Sequence, residues 1–561
     1  MHFPKHRDAL TRAWLRARGY SGLIWVGFIC FLSLSLVFRN LFDGYDLSYD
    51  ELYSALSVSS GSLRSTFVDW VLPDTHPPLH ALSLFVWRLM FGDSEVSLRI
   101  LSASFSVLTL FIWGLFAIGL SSLPLLAGFP FIALNPYFIF FSNEVRGYSG
   151  LIYASTLVLL SMLLRADSFS SSREALNPRF AVFLRTISSD LFFAFALMQV
   201  SLFHYYGFIY ALLVLFLDCF LYSRSFRFAL ISLAAILVWP TIQLVVFRSD
   251  QVGRVSWLPS DPITGALKAF LGSTLPGFRV YQLAALAIGI VVVLIIGFSS
   301  AGRRKLQGYS SLAQLAFPLA SLLVSFLIAI ICLDLVKPIV LEKYFVVLLP
   351  AVSLLFGVAI AVPLVVLRRL SLQASLMLAL PLSLFAGFYL ESIRSYRSQA
   401  SHKVDSKISY TSSRTFNFLR SSKLCQLEAC AVGPGLAFNV QAGDSRGMVL
   451  SRYGLANGFR SLSADGGSLV FISSSSSSSR SSLGSIPIGQ FRRLAPVLLE
   501  GFDLGGSLAH SNSSRLAESL LLRQRGYQCF QFDKNSPVKI WATGSVRADL
   551  DLSHAGFQEC S

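Results

Sequence analysis

The sequence predicts a polytopic α-helical membrane protein with a small C-terminal extracytoplasmic α/β domain, and three observations predict it. Of 561 residues, 54% are hydrophobic and 14% charged, with 48 Phe. A soluble chain of this length has no interior large enough to hide that much apolar surface. Apolar runs of spanning length fall near 22–38, 97–120, 124–142, 148–164, 187–203, 206–222, 228–247, 280–300, 311–333, 344–366 and 371–391, eleven in all. From 392 onward the composition turns to Ser, Gly and charged residues. The expected division is therefore a membrane domain over 1–391, with its first outer loop at 39–96, and an extracytoplasmic domain over 392–561.

The N-terminus places five Lys or Arg before the first run and shows no small-residue cleavage site, so it reads as a retained helix. A twelfth apolar stretch, Pro77 to Phe91, has only 15 residues and begins on a His-Pro-Pro turn. A helix needs about 20 residues to cross the roughly 30 Å of hydrocarbon. If this stretch stays outside, the four Arg between 165 and 185, the two between 223 and 227, "GRRK" at 302–305 and Arg368–Arg369 all join the basic N-terminus inside. If it crossed, they would fall outside. The charge bias predicts a membrane-parallel helix in the first outer loop, a cytoplasmic N-terminus and an external C-terminal domain.

A net charge of +16 is compatible with nucleic-acid binding, but the basic residues are dispersed between apolar runs, and cytoplasmic loop bias accounts for them better. Cys30, Cys219 and Cys332 lie in apolar runs as packing residues. Cys425, Cys430, Cys529 and Cys560 permit two disulfides outside the cytoplasm, in any of three pairings. In the tail, "SSSSSSSR" at 473–480 reads as a flexible loop, 514–525 as a helix, and "YQCFQF" with "VKIWAT" as a hairpin.

Five outer turns carry the candidate chemistry. Asp50 and Glu51 adjoin the first span. Helical neighbours point about 100° apart, so one of the two leads into a given site, unless both simply favour a helix dipole. His76 precedes the Pro-Pro entry of the short helix, whose Trp87 and Arg88 suit an interfacial anchor. Glu144 and Arg146 occupy a short turn where charge needs a partner, a metal or a polar cavity, or pairs locally, as Glu144 with Arg146 or Arg99 would. His204 with Tyr205, and Lys343 with Tyr344, mark two further turns suited to an aromatic belt or to a site.

Taken in order, DE, HPPL, G-D-S-E-x-x-x-R, N-E-x-R-x-Y, H-Y-Y and K-Y before a Pro-containing span resemble the GT-C superfamily of membrane glycosyltransferases. The resemblance runs over about 22–361. It is closest to the branch with protein O-mannosyltransferases, the lipid A aminoarabinose transferase and bacterial lipopolysaccharide-core glycosyltransferases. It implies an inverting transfer of a sugar from a polyprenyl-phosphate donor to a lipid, glycan or protein acceptor, at the outer face of a bacterial plasma membrane. It also implies Asp50, Glu51 and Glu144 as catalytic acids, with Asp50 the base, and Arg146, Lys343 and Tyr344 at the donor phosphate. His76, His204 and Tyr205 are implied as accessory, and a divalent cation (Mg, Mn or Zn) between Asp50 and Glu144 is the cofactor it allows. Where relatives carry Arg, this chain has Lys343, which keeps the charge and loses the bidentate fork. The competing reading is a transporter or flippase. Transporters gather ionisable groups near the midplane, whereas here they gather at one face.

Overall fold

The computed structural model describes residues 5–42, 49–59, 61–72, 74, 76–120, 122–165, 190–222, 226–246, 261–275, 310–367, 394, 398 and six strands. The chain forms two compact units, Met1–Phe42 with Gly61–Ser406, and Asp43–Ser60 with Lys407–Ser561. The expected boundary between 391 and 392 lies outside the described residues, as do the runs at 280–300 and 371–391.

The first unit contains α1 (Lys5–Phe42) and, after the short turns Leu63–Ser65 and Thr66–Val71, α3 (Leu79–Phe91), α4 (Glu95–Gly119), α5 (Leu123–Ala133), α6 (Pro136–Phe141) and α7 (Tyr148–Arg165). It continues with α8 (Asp190–Phe203), α9 (Tyr205–Tyr222), α10 (Phe226–Val246), α11 (Pro262–Thr274), α12 (Ser310–Val336), a 3₁₀ turn Glu342–Leu348 and α13 (Leu349–Leu367). The second unit holds α2 (Tyr49–Ser57). Among the described residues four stretches, Ser21–Arg39, Glu95–Gly119, Phe317–Val336 and Glu342–Ala361, are long and apolar enough to cross a bilayer. With the shorter apolar helices beside them, they make this a polytopic helical membrane protein.

The short helix α3 has 13 residues, about 20 Å at 1.5 Å per residue, which is less than a hydrocarbon core. Gly92, at φ +80°, ends it, and its N–H donates to Arg88 O at 2.9 Å. Ser94 then caps α4 by accepting from Ser97 N. His80 and Leu84 share the buried face of α3, while Leu89, Met90 and Phe91 are exposed.

The apolar run at 124–142 differs from expectation, because it is two helices rather than one span. Pro136 has no N–H, and Asn135 starts a new helix by accepting from Tyr137 N at 2.8 Å and Phe138 N at 3.3 Å. Its amide also donates to the carbonyls of Ser273 and Thr274, each at 3.3 Å, which end α11. One buried Asn thus satisfies two helix ends. Backbone that breaks inside an apolar bundle needs such partners. Ser33 Oγ donates to Ala133 O, the last residue of α5. Pro130 frees the carbonyl four residues earlier, Leu126 O, and the Trp25 indole donates to it at 3.1 Å.

Helix α5 lies directly on α13. A Cβ on Gly128 would strike Ser353 O, and one on Gly357 would strike Pro124 O, both of them backbone atoms. Small residues let helix backbones approach this closely in a membrane. Gly357→Val is expected to force α5 and α13 apart and to cost about 1–3 kcal/mol or more. A lower thermal midpoint of the purified protein would show this, and an unchanged midpoint would contradict the contact.

At the far end of α7, Arg165 lies 3.2 Å from Asp218, also pairs with Asp190, and sits between the rings of Phe193 and Phe228 at 4.5 Å each. Asp218, the acid inside an apolar run, is therefore charge-compensated. The 18 residues of α7 span roughly 27 Å, so its two ends are about a hydrocarbon thickness apart.

In the second unit, α2 carries Asp50 and Glu51 in its first turn. Six strands, β1 (Cys430–Val432), β2 (Phe459–Ser461), β3 (Val497–Gly501), β4 (Tyr527–Gln531), β5 (Val538–Thr543) and β6 (Gln558–Glu559), form one sheet in the order β2-β1-β3-β5-β4-β6. β1 runs parallel to β2 and β3, and the remaining pairs are antiparallel. β4 and β5 form the expected hairpin, with Phe530 opposite Ile540. The Ser run at 473–480, the helix at 514–525, and Cys425 and Cys560 lie outside the described residues, and so does the disulfide pairing.

Candidate functional site

Four turns at one end of the first unit converge. The turn from α6 into α7, Ser142 to Gly147, is tight: Arg146 N–H donates to Glu144 O at 2.7 Å, a γ-turn around Val145. Ser102 Oγ also donates to Glu144 O. Gly147 lets this turn rest on its neighbours, since a Cβ there would lie 3.2 Å from His80 Cβ and 3.5 Å from Phe203 O. The turn buries Arg146 and leaves Glu144 half-buried.

The approach to α3 supplies Asp74 and His76. His76 Nδ1 lies 3.3 Å from Asp74 Oδ1, and its Nε2 lies 3.2 Å from a terminal nitrogen of Arg146. The His76 ring meets the His204 ring edge-on at 5.6 Å.

His204 forms the turn between α8 and α9. Its Nδ1 accepts from Tyr206 N at 3.1 Å, which makes it the N-cap of α9. A nitrogen that accepts from an amide N–H carries no proton, so in neutral His204 the proton sits on Nε2. Burial, then His76, Arg146 and Lys343, hold His204 well below the usual histidine range and keep it neutral. Among the described residues Nε2–H has no hydrogen-bond partner, which leaves it as a donor. His80 lies in the first turn of α3, where burial first and Arg146 next push its pKa down to about 3.

The fourth turn follows α12. Buried Asp334 accepts from Ile339 N at 2.6 Å and Val340 N at 3.0 Å, and Tyr206 OH donates to Ile339 O at 3.1 Å. With both sides of Ile339 held, the next residues are positioned. The Tyr344 ring lies 4.3 Å from His204, 5.1 Å from Tyr206 and 6.3 Å from Tyr148. Lys343 Nζ stands 5.6 Å from the Tyr148 ring and 5.9 Å from that of Tyr344, within cation–π range.

Of the residues singled out in the sequence, His76, Arg146, His204, Lys343 and Tyr344 therefore share one site. Tyr205 opens α9 half-buried beside it, and it is Tyr206 whose ring reaches Tyr344. Asp50, half-buried, and Glu51, 1% exposed, belong to the second unit, and Glu144 to the first. Sequence reasoning missed Asp74, His80, Tyr148, Tyr206 and Asp334. Tyr148 closes the N-E-x-R-x-Y pattern and Tyr206 the H-Y-Y pattern, so both had a signal. Among the described residues no three His, Cys, Asp or Glu side chains lie together as a metal site would require.

Fold and site define a polytopic membrane protein with a half-buried cationic, aromatic and histidine-lined site at one end of its bundle. Two solved structures are similar to it. The crystal structure of ArnT from Cupriavidus metallidurans in the apo state has a TM-score of 0.48 and 13% identity, covering 93% of this chain and 98% of that one. The same protein bound to undecaprenyl phosphate has a TM-score of 0.49 and 14% identity, covering 92% and 97%. No protein-family model and no curated protein matches the chain.

Proposed function

We propose that the protein is an inverting glycosyltransferase of the GT-C superfamily, moving a sugar from a polyprenyl-phosphate donor to a lipid, glycan or protein acceptor at the outer face of a bacterial plasma membrane. The observation that carries this reading is the set of donors at one bundle end: the Arg146 guanidinium, the Lys343 ammonium and the neutral His204 Nε2–H, walled by Tyr148 and Tyr344. A polyprenyl phosphate needs positive donors next to apolar helices, so that its tail lies in lipid while its phosphate is held. The order of motifs along the chain supports the same reading.

In the proposed step the acceptor hydroxyl attacks the anomeric carbon and the bond from that carbon to the phosphate oxygen breaks. The electron pair leaves with the phosphate, where Arg146, Lys343 and His204 stabilise the growing charge. Asp50 takes the hydroxyl proton. The roles of Asp50, Glu51 and Glu144, and of a divalent cation between Asp50 and Glu144, rest on the sequence pattern. So does the orientation, with the N-terminus cytoplasmic and the C-terminal part periplasmic.

The test is incubation of the purified protein with a panel of polyprenyl-phosphate sugars, with and without chelator. Release of polyprenyl phosphate is expected from at least one donor, and loss of release with chelator would support the cation. No release from any donor, together with vectorial solute uptake in liposomes, would replace this reading by the transporter.

A further inference from the structure

His76 stands between a carboxylate and a guanidinium, and that placement determines where its proton lies. A guanidinium has donors and no acceptor, so His76 Nε2, 3.2 Å from Arg146, must accept. An ionised carboxylate only accepts, so Nδ1, 3.3 Å from Asp74, must donate. Both hold only for a neutral imidazole protonated on Nδ1. An imidazolium at this position would present a second donor to the guanidinium and lose the contact.

We propose that Asp74 and His76 form a positioning relay that aims the Arg146 guanidinium at the donor phosphate, with His76 acting through Arg146 and not as a cationic ligand of its own. This rests on the reading that Arg146 holds the phosphate. Arg146 needs such a relay because it projects from a γ-turn, not from a helix that would limit its rotamers. A guanidinium fork is selective for phosphate only when its plane is fixed. The groups facing His76 suit the role. Asp74 supplies a negative partner 3.3 Å away, and His204, edge-on at 5.6 Å, is held neutral. His80 is held neutral too. The relay is thus a chain of carboxylate, neutral imidazole and guanidinium, in which each member determines the orientation of the next.

The experiment is binding of undecaprenyl phosphate to the full-length purified protein in four forms: wild type, His76→Leu, Arg146→Gln and the double variant, with His76→Gln as the conservative form. His76→Leu is expected to weaken binding about 10-fold, as loss of a charge-assisted contact does. His76→Gln, whose amide oxygen still accepts from Arg146, should stay within about 3-fold of wild type. The double variant should bind no more weakly than Arg146→Gln alone, within about 2-fold, because a relay has nothing left to aim once the guanidinium is gone. Additive losses would make His76 a direct ligand and overturn the proposal, as would equal losses in His76→Leu and His76→Gln. If Arg146→Gln binds like wild type, the phosphate assignment of Arg146 falls, and the relay falls with it. If His76→Leu is not recovered folded, the comparison of His76→Gln with its own Arg146→Gln double variant decides: a change seen only while Arg146 is present supports the relay, and an additive one overturns it.

Discussion

Asp50→Asn is expected to lower turnover of a polyprenyl-phosphate sugar by about 10³-fold while leaving expression and the thermal midpoint unchanged. The residue sits in the first turn of α2, where the helix dipole favours an ionised carboxylate, and it is only half-buried. An ionised acid of low basicity can still serve as base here, because the acceptor proton becomes acidic only as its oxygen bonds to the anomeric carbon. The amide keeps the size of the side chain and one acceptor oxygen, and it cannot take that proton. Adjacent Glu51 is 1% exposed, so its replacement is the control that should cost stability as well as rate. Single-turnover rates with saturating donor separate the two. Turnover of Asp50→Asn close to wild type would remove Asp50 from the mechanism.

Acidification from pH 7 to pH 5 is expected to destabilise the protein through His80 and His204. Burial, aided by Arg146, pushes His80 down to about 3, and burial, aided by His76, Arg146 and Lys343, lowers His204 well below the ordinary range. In the unfolded chain both titrate near 6.5. Below that pH the unfolded state binds protons that the folded state refuses, so stability falls as pH falls. The neutral-state contribution is complete above about 6.5 and, for His80, is lost progressively down to about 3. At pH 5 the loss is about 2 kcal/mol for His80, and His204 adds a loss of the same sign. Thermal midpoints at pH 7.5 and 5 measure it, and His80→Leu should remove its share of the slope. A midpoint flat over that range, or an unchanged slope in His80→Leu, would show that neither ring is buried neutral.

Much of the fold was legible in the chain. The 15-residue run after His76 was too short to span, and the structure contains α3 there, of 13 residues. The alternating segments at 527–531 and 538–543 pair as β4 and β5. The break at Asn135 was less legible, although Asn-Pro inside an apolar run is itself a turn signal. Hydropathy averages over about 19 residues, so one polar side chain vanishes in the mean while its hydrogen bonds decide the backbone. The turns bearing Arg146, His204 and Lys343 were found because charge and imidazole are rare near apolar runs. Their supports Asp74 and Asp334 were not, because each is common in a turn and becomes informative only beside its partner.

By itself the sequence determined that this chain lives in a membrane, where several of its apolar helices run, and which residue types cluster in its turns. These follow from apolar area, which adds along the chain and needs no knowledge of neighbours. Only the tertiary structure decided which turns meet, that His76 accepts from Arg146 70 residues away, and that Tyr206 holds Ile339 across 133. The reason is that proton placement and hydrogen bonding depend on a partner's direction within about 3 Å, and direction exists only once the chain has folded.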